Sequence, residues 1–562
     1  MVRILDREEK LPSVQEENLA QMWITRFDKL KGDRGTLEQN LQEVCERVLP
    51  RKSHVTMTMI KGKKRDPRIY DSTAVFANQY MASGLMAHLT PPNQKWFALK
   101  AKKKELNERE NVRRWFMRVT TILHEELAAS NFQNEINELY LDIGWNGTPC
   151  MEVKRGKRSL FNFKNHHISE YVICEDSDGY VDTHIRKFKY TARQAVQEFG
   201  YNNLGRDVQT AYAEPKDRDK EFEFLHVLHP REEYSNEYPA LKSRQPIASI
   251  YIDVKAKKVV LTDGHYEMPK MTPRWVKVSG DPYGRSQGMF ALPEIKSANF
   301  NEKQMGIALE KEISPTILAP DDGFVGTVRT SANSIMYYRK HLQGKDKPEP
   351  FKVNANLMWV KDLHETKKQT IKKAFYNDLF VMLTEQTKTQ TAYEIAQRIE
   401  EKWSMIVAPV GRLNSELNNP MIIRLMGIAA RANALPPAPP ELIGQQFEIE
   451  YVSKLALALK LLEVKSLANG IEVLAPMIEA SPDMIDNWDT DAIARGVPER
   501  LGWSEDWLRD IDERDEIREM RMIQMQQERV QEMALEAAKS AGQLGKAVEP
   551  GSIISEAARQ VA

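Results

Sequence analysis

Histidines set beside carboxylates are the residues of this chain best equipped for chemistry, at His166-His167-Ile168-Ser169-Glu170 and at His124-Glu125-Glu126. An imidazole titrates near neutral pH, so one held against a carboxylate can serve as a general base. The spacing speaks against that role. Neighbouring side chains on a strand point to opposite faces, so His166 and His167 diverge, and no partner motif follows either cluster. Both read as structural or surface histidines. Asp321-Asp322-Gly323 offers carboxylates for a metal but is more simply a turn. Two basic runs, KGKKRDPR at 61–68 and KAKKKELNEREN with VRR at 100–114, could touch nucleic acid. The first lacks the interleaved aromatics on which single-strand binders stack bases. The second alternates in sign, as a solvated helix entrance does.

Motifs that would announce an enzyme are missing from the sequence: no GxxxxGK[ST] loop, no HExxH, no GxSxG elbow and no zinc-type Cys/His spacing. Cys45, Cys150 and Cys174 are an odd number without a CxxC pair, which fits folding in reducing cytoplasm. The expectation is therefore no catalytic residue, no metal and no cofactor.

These residues must be positioned by a chain of 562 residues, longer than one hydrophobic core usually grows, with 41% hydrophobic content for two or more packed regions. Eighty basic residues balance eighty acidic ones, so global attraction to nucleic acid is not built in. The N-terminus is charged at once, unlike a signal peptide, and no run of eighteen apolar residues would span a membrane.

Ser13 with Glu16 and Thr36 with Gln39 form capping-box patterns opening two helices, the first burying Leu19, Met22, Trp23 and Phe27. Asp71 can cap a third helix, rich in small residues and ended by Pro91-Pro92, and two more follow at 107–130 and 131–143. The period then changes to two. Strands are expected at 150–153, 159–163, 168–174, 180–188, 221–228, 247–254 and 259–262, with Gly179 in a turn and one short helix at 191–199. Helices return at 292–313 and 361–384, flanking an irregular, proline-bearing stretch at 314–360. The fold class is α+β and mainly helical.

A long amphipathic run follows. Ala392, Ile395, Ala396, Ile399, Trp403 and Ile406 keep the helical period after Thr391 and Glu394, a further capping-box pair. Pro409 should kink the helix, the pattern resumes at Val410, Leu413, Leu417, Met421 and Leu425, and Pro420 is a second bend. Near the C-terminus, residues 504–537 form a Gln- and Glu-rich helix with eleven acidic and five basic side chains, a net charge of −6.

The order of residues in three of these stretches resembles the podovirus-type head-to-tail connector, or portal, family. They are TAYEIAQRIEE running into PVGRLNSELNNPMIIR at 391–424, DSTAVFANQYMASGLMAHLTPPNQKWFAL at 71–99, and YGRSQGMFALPEIKSANFNEKQM at 283–305. The family often has Leu where Met81 stands, a swap that conserves volume.

The resemblance implies a subunit of a closed ring, usually a dodecamer. It divides the chain into wing (1–287), stem helix (288–313), clip (314–360), second stem helix (361–384), channel loop (385–390), kinked wing helix (391–430), wing or crown (431–503), C-terminal crown or barrel helix (504–541) and flexible tail (542–562). The channel loop would be Glu385, Gln386, Thr387, Lys388, Thr389 and Gln390, with Lys388 meeting the DNA backbone. Implied partners are double-stranded DNA in the channel, major capsid or scaffolding protein, terminase and tail adaptor proteins. The implied place is the portal vertex of a virion assembled in host cytoplasm. A ring-forming tail adaptor or tubular tail protein is the alternative, and a metal-dependent DNA-processing enzyme a more distant one.

Overall fold

The structure is a computed structural model, and it describes residues 13–231 apart from 59, 61, 63–68 and 108; 245–313; 317–318; 349–350; 357–384; 406–501 apart from 453; 509; and 511–544. The chain divides into two compact units, Met1–Ser453 and Lys454–Ala562. Helix predominates and the strands lie in antiparallel sheets.

The first unit opens with α1 (Ser13–Asp33) and α2 (Gly35–Val48). Thr36 is not the cap expected of it. The helix starts one residue earlier, at Gly35, and Arg34 closes its end by pairing with Glu38 at 2.6 Å and donating to the Tyr171 carbonyl. In α3 (Thr73–Leu89) the Asp71 carboxylate accepts the Thr73 N–H at 2.8 Å, the local bond that starts a helix. β1 (Phe97–Ala101), α4 (Glu110–Ala129) and α5 (Phe132–Asn146) follow, and the small residues Ala74, Ala77 and Ala82 of α3 are buried in the main core.

Next come β2 (Cys150–Arg155), β3 (Phe161–His166), β4 (Tyr171–Glu175), β5 (Val181–Thr191), α6 (Ala192–Phe199), α7 (Arg206–Ala213), β6 (Glu221–Pro230), β7 (Ile247–Asp253), β8 (Lys258–His265) and β9 (Lys270–Met271). Strands β4 to β8 form a five-stranded meander in chain order, and β3-β2-β9 form a second sheet. Gly179 takes φ +82 in the β4–β5 turn, and Thr191 caps α6 reciprocally with Gln194, as the sequence leads one to expect. One face of the meander, with Ile185, Leu225, Val227 and Ile250, packs on Leu19, Trp23 and Phe27 of α1. Helix α7 has no counterpart in the sequence reading.

α8 (Gln287–Ile313) and α9 (Leu357–Ala374) form an antiparallel helical hairpin, because Glu294 pairs with Lys367 while Glu302, eight residues on, pairs with His364. Their bases are buried through Ala291, Ile295, Ile371 and Phe375, whereas Phe300, Leu309 and Ile313 toward the far end are exposed. The stretch 361–384, expected as one helix, is two: α10 (Asn377–Thr384) starts after Tyr376 takes φ +57. The Gln287 amide holds this break, its preferred orientation accepting from the Tyr376 hydroxyl (2.8 Å) and Trp275 Nε1 (3.0 Å). Of 314–356 the structure describes only Ile317–Leu318 paired antiparallel with Glu349–Pro350. Asp321-Asp322-Gly323, the channel loop Glu385 to Gln390 and the Thr391–Trp403 amphipathic segment lie outside the described residues.

The remainder of the long helix is α11 (Val407–Leu413), a π-helical turn (Asn414–Asn418) and α12 (Asn419–Arg431). Pro409 sits in the first turn of α11, where a missing N–H costs little, whereas Pro420 follows directly on the π-helical turn. The irregularity falls between them, because Pro420 has no N–H to return to the Glu416 carbonyl and the ladder widens there. β10 (Phe447–Tyr451) then pairs with β1, closing the unit.

The second unit holds α13 (Lys454–Ala480), α14 (Thr490–Leu501) and α15 (Ile511–Leu544). Asp491 of α14 grips Arg514 and Arg518 of α15 at 3.0 and 2.6 Å. Among the described residues no helix is long and apolar enough to cross a membrane.

Candidate functional site

The three sequence stretches that carry the resemblance converge at the root of the helical hairpin. Gly147 ends α5 with φ +74, a conformation that favours glycine, and its carbonyl accepts the Trp275 N–H at 2.9 Å. A Cβ there would lie 2.7 Å from the backbone of Arg285 and Ser286, so the Tyr283–Ser286 segment crosses α5 at bare-backbone distance. Each residue of that segment is then fixed. The Tyr283 hydroxyl accepts the Ile173 N–H at 3.3 Å, Gly284 donates to Thr148 Oγ1, and Arg285 pairs with Asp281. Ser286 donates to the Trp145 carbonyl (2.8 Å) and accepts the Met289 N–H (3.1 Å), capping α8. The 71–99 segment enters through Gly84, where a Cβ would meet the Phe380 ring of α10 at 2.3 Å.

The third stretch arrives through the π-helical turn. Arg274, 1% exposed, binds Glu416 through its Nε (3.0 Å), its Nη2 and its own backbone N–H (2.8 Å), and also pairs with Glu175 and donates to the Gly179 carbonyl. Burial opposes its charge, but Glu416 and Glu175 outweigh burial and raise its pKa. This clamp ties the meander, the segment before α8 and the bent helix to one guanidinium. Farther along, Glu267 receives Arg424 and Arg431 at 2.8 and 2.7 Å. The arrangement orients helices and exposes no nucleophile.

The histidine clusters are structural, as the sequence leads one to expect. His124 lies 3.1 Å from the Phe97 carbonyl and stacks on that ring, and burial pushes its pKa down to about 4. His166 and His167 diverge: one meets Glu152 at 3.1 Å, the other the Lys52 carbonyl at 3.0 Å and the His54 ring. The basic run at 100–114 is in part neutralised, with Lys100 on Glu450, Arg109 on Glu441 and Arg114 on Glu110. The run at 61–68 lies outside the described residues save Gly62. Among the described residues no group of His, Cys, Asp and Glu is placed to hold a metal.

A polar layer between the two sheets went unread in the sequence. Register puts Cys150, Glu152 and Lys154 of β2 opposite His166, Lys164 and Asn162 of β3, on one face. That face meets the side of the meander bearing His184, Arg186, His226 and Tyr251. Lys270 lies within it, 3.3 and 3.0 Å from the Nδ1 atoms of His184 and His226, and burial pushes its pKa down to about 7. Cys150 is 3.2 Å from His184 Nε2, a spacing seen in thiol nucleophiles. Burial pushes the thiol up to about 12 and holds the imidazole neutral, so this pair is inert.

Comparison with known proteins comes to the same place as the motifs. Residues 20–508 match the family model described as bacteriophage head to tail connecting protein. The probable portal protein of Bordetella phage BPP-1 is 27% identical over 536 residues, covering 94% of this chain and 96% of its own. The portal protein of Salmonella phage epsilon15 is 28% identical over 530 residues, covering 93% and 95%. Among solved structures, a chain from the virion of a native gene transfer agent particle aligns at TM-score 0.35 and 12% identity over 76% of this chain and 94% of its own, a likeness too distant to carry weight.

Proposed function

The chain belongs to the bacteriophage head to tail connecting protein family, and from that premise we propose that it is a portal subunit, a component of the virion. The observation that carries this reading is the family match over 20–508, which takes in all three convergent stretches. Twelve copies close into a ring at one capsid vertex, and double-stranded DNA passes through its opening during packaging and ejection. A closed ring needs two different complementary flanks on each copy, joined head to tail. Exposed Phe290, Phe300, Leu309 and Ile313 on α8, and Met520, Ile523 and Met525 on α15, supply apolar surface for neighbouring copies to cover.

In this reading residues 288–313 of α8 and the helical stretch 361–384 are the stem, residues 314–360 the clip that docks terminase and then tail adaptors, and the wing meets capsid or scaffolding protein. Residues 385–390 face the duplex, with Lys388 touching phosphates transiently. The acidic C-terminal helices line up as a crown that repels polyanionic DNA. A net charge of zero keeps the conduit from gripping its cargo, since affinity for DNA grows with the phosphates neutralised. The work is geometric, and the energy of packaging comes from a separate ATPase.

Negative-stain images of the purified full-length protein test this directly. The expected result is rings with a central hole wide enough for a duplex. A monodisperse monomer under capsid-assembly conditions would overturn it, and divalent-metal-dependent cleavage of DNA would point instead to an enzyme.

A further inference from the structure

The polar layer between the sheets opens on one side into a cleft of about 190 Å³. Its lining includes Lys154, Lys164, Arg186, Asn162, Tyr190 and Tyr251, with Glu152, His226 and Phe188 completing it. Two of the cations are already matched: Lys154 lies 3.3 Å from Glu152, and Arg186 lies 2.8 Å from Glu170. Lys164 stands directly across the β ladder from Glu152, exposed at the edge of the cleft, and makes no ion pair with any described residue. Lys270, its charge disfavoured by burial, lies behind His226. Three basic side chains of the lining thus stand against Glu152 within it and Glu170 outside it, and the surplus faces a concave, half-enclosed space.

We propose that this cleft binds a phosphate group. Three cationic side chains, an amide and two tyrosines line a half-enclosed space, and a tetrahedral oxyanion offers acceptors to several donors at once. The electrostatics agree: partial desolvation, and then repulsion from Arg186, disfavours the Lys164 ammonium, with Glu152 and Glu170 offsetting only part of this. A bound dianion relieves that repulsion. The phosphate can be free inorganic phosphate or one group of a nucleic-acid backbone presented end-on. The site does not depend on ring formation.

Isothermal titration of the full-length protein with inorganic phosphate, at constant ionic strength against chloride, tests the assignment. Saturable binding is expected. Lys164→Gln removes an exposed side chain with no ion pair to any described residue and should weaken that binding roughly tenfold, the loss of one charge-assisted hydrogen bond. Arg155→Gln is the control, because Arg155 lies on the neighbouring strand β2, next to Lys154, with its side chain on the opposite face of the sheet, and the substitution changes net charge equally. It should leave binding unchanged. A short duplex that displaces phosphate from the wild type, but binds Lys164→Gln more weakly, identifies the nucleic-acid backbone as the source. A duplex that does not compete identifies free phosphate. No saturable binding above chloride, or equal loss in both variants, overturns the proposal, the second outcome showing only diffuse attraction.

Discussion

Removing the Arg274 clamp should unfasten the meander, the segment before α8 and the bent helix from one another, and the cost follows from its bonds. Glu416 accepts two hydrogen bonds from the guanidinium and one from the Arg274 backbone, and its side chain is 11% exposed. A charge-assisted bond contributes about 1.5–3 kcal/mol, and stripping one partner from a buried pair costs about 3–5 kcal/mol. Arg274→Met leaves Glu416 and Glu175 without their common cation, although Lys277 still reaches Glu175 at 2.9 Å, so the loss should be about 3–5 kcal/mol. Glu416→Gln keeps the shape and one acceptor while Glu175 still balances the arginine, so about 2 kcal/mol is expected. In the double variant no uncompensated charge faces the missing partner. Its cost should therefore fall short of the sum by about 1–3 kcal/mol. Urea unfolding at fixed protomer concentration, followed by tryptophan fluorescence, reads this out, and buried Trp275 sits beside the clamp. Costs that add to within about 0.5 kcal/mol would refute the coupling.

Two glycines on helices should respond oppositely to alanine. Gly84→Ala drives a methyl into the buried Phe380 ring and should lower stability by about 1–3 kcal/mol, while Gly306→Ala, with nothing within 4 Å, should raise it by up to about 1 kcal/mol in urea midpoints. Gly147→Ala meets both positive φ and a backbone at 2.7 Å, so a loss of about 3 kcal/mol or more, or insoluble protein on expression, is expected; wild-type stability would disprove the close crossing. Acid should destabilise the fold. His124, His166, His184, His226, His229 and His265 are all held below 6.5, chiefly by burial. The unfolded chain therefore takes up protons that the native one refuses, and their stabilisation, full above pH 6.5, is lost as pH falls toward about 4 for His124, His229 and His265 and about 3 for His166. The urea midpoint should drop between pH 7 and 5, and a flat profile would contradict neutral buried imidazoles.

Local grammar made much of the architecture legible. Amphipathic spacing found α1, α8 and the described part of the bent helix, period-two alternation found the meander, and Gly179 and Thr191 behaved as turn and cap residues should. What stayed hidden was set by partners far off in sequence. Nothing in Phe447-Glu448-Ile449-Glu450-Tyr451 announces that it pairs with Phe97–Ala101. Tyr376 breaks a helical pattern without a proline or glycine, because Gln287 reaches it from another element. Arg274 is one of several cations in an irregular stretch, and only the fold brings two carboxylates to it. The alternation of Cys150, Glu152 and Lys154 marks a strand but cannot say that a second polar face will cover it. The motif residues were visible individually, and their convergence was not.

The ladder joining Phe97–Ala101 to Phe447–Tyr451 has a consequence for how the protein is made. About 350 residues separate its two strands, and translation at roughly 5–20 residues per second leaves the earlier strand waiting roughly 18–70 s for its mate. The first unit therefore completes only when almost all of it has left the ribosome. A nascent chain that terminates early keeps an open edge, so pulse-labelled chains should gain protease resistance only after residue 451 emerges, and abortive products should be cleared before they can join an assembly.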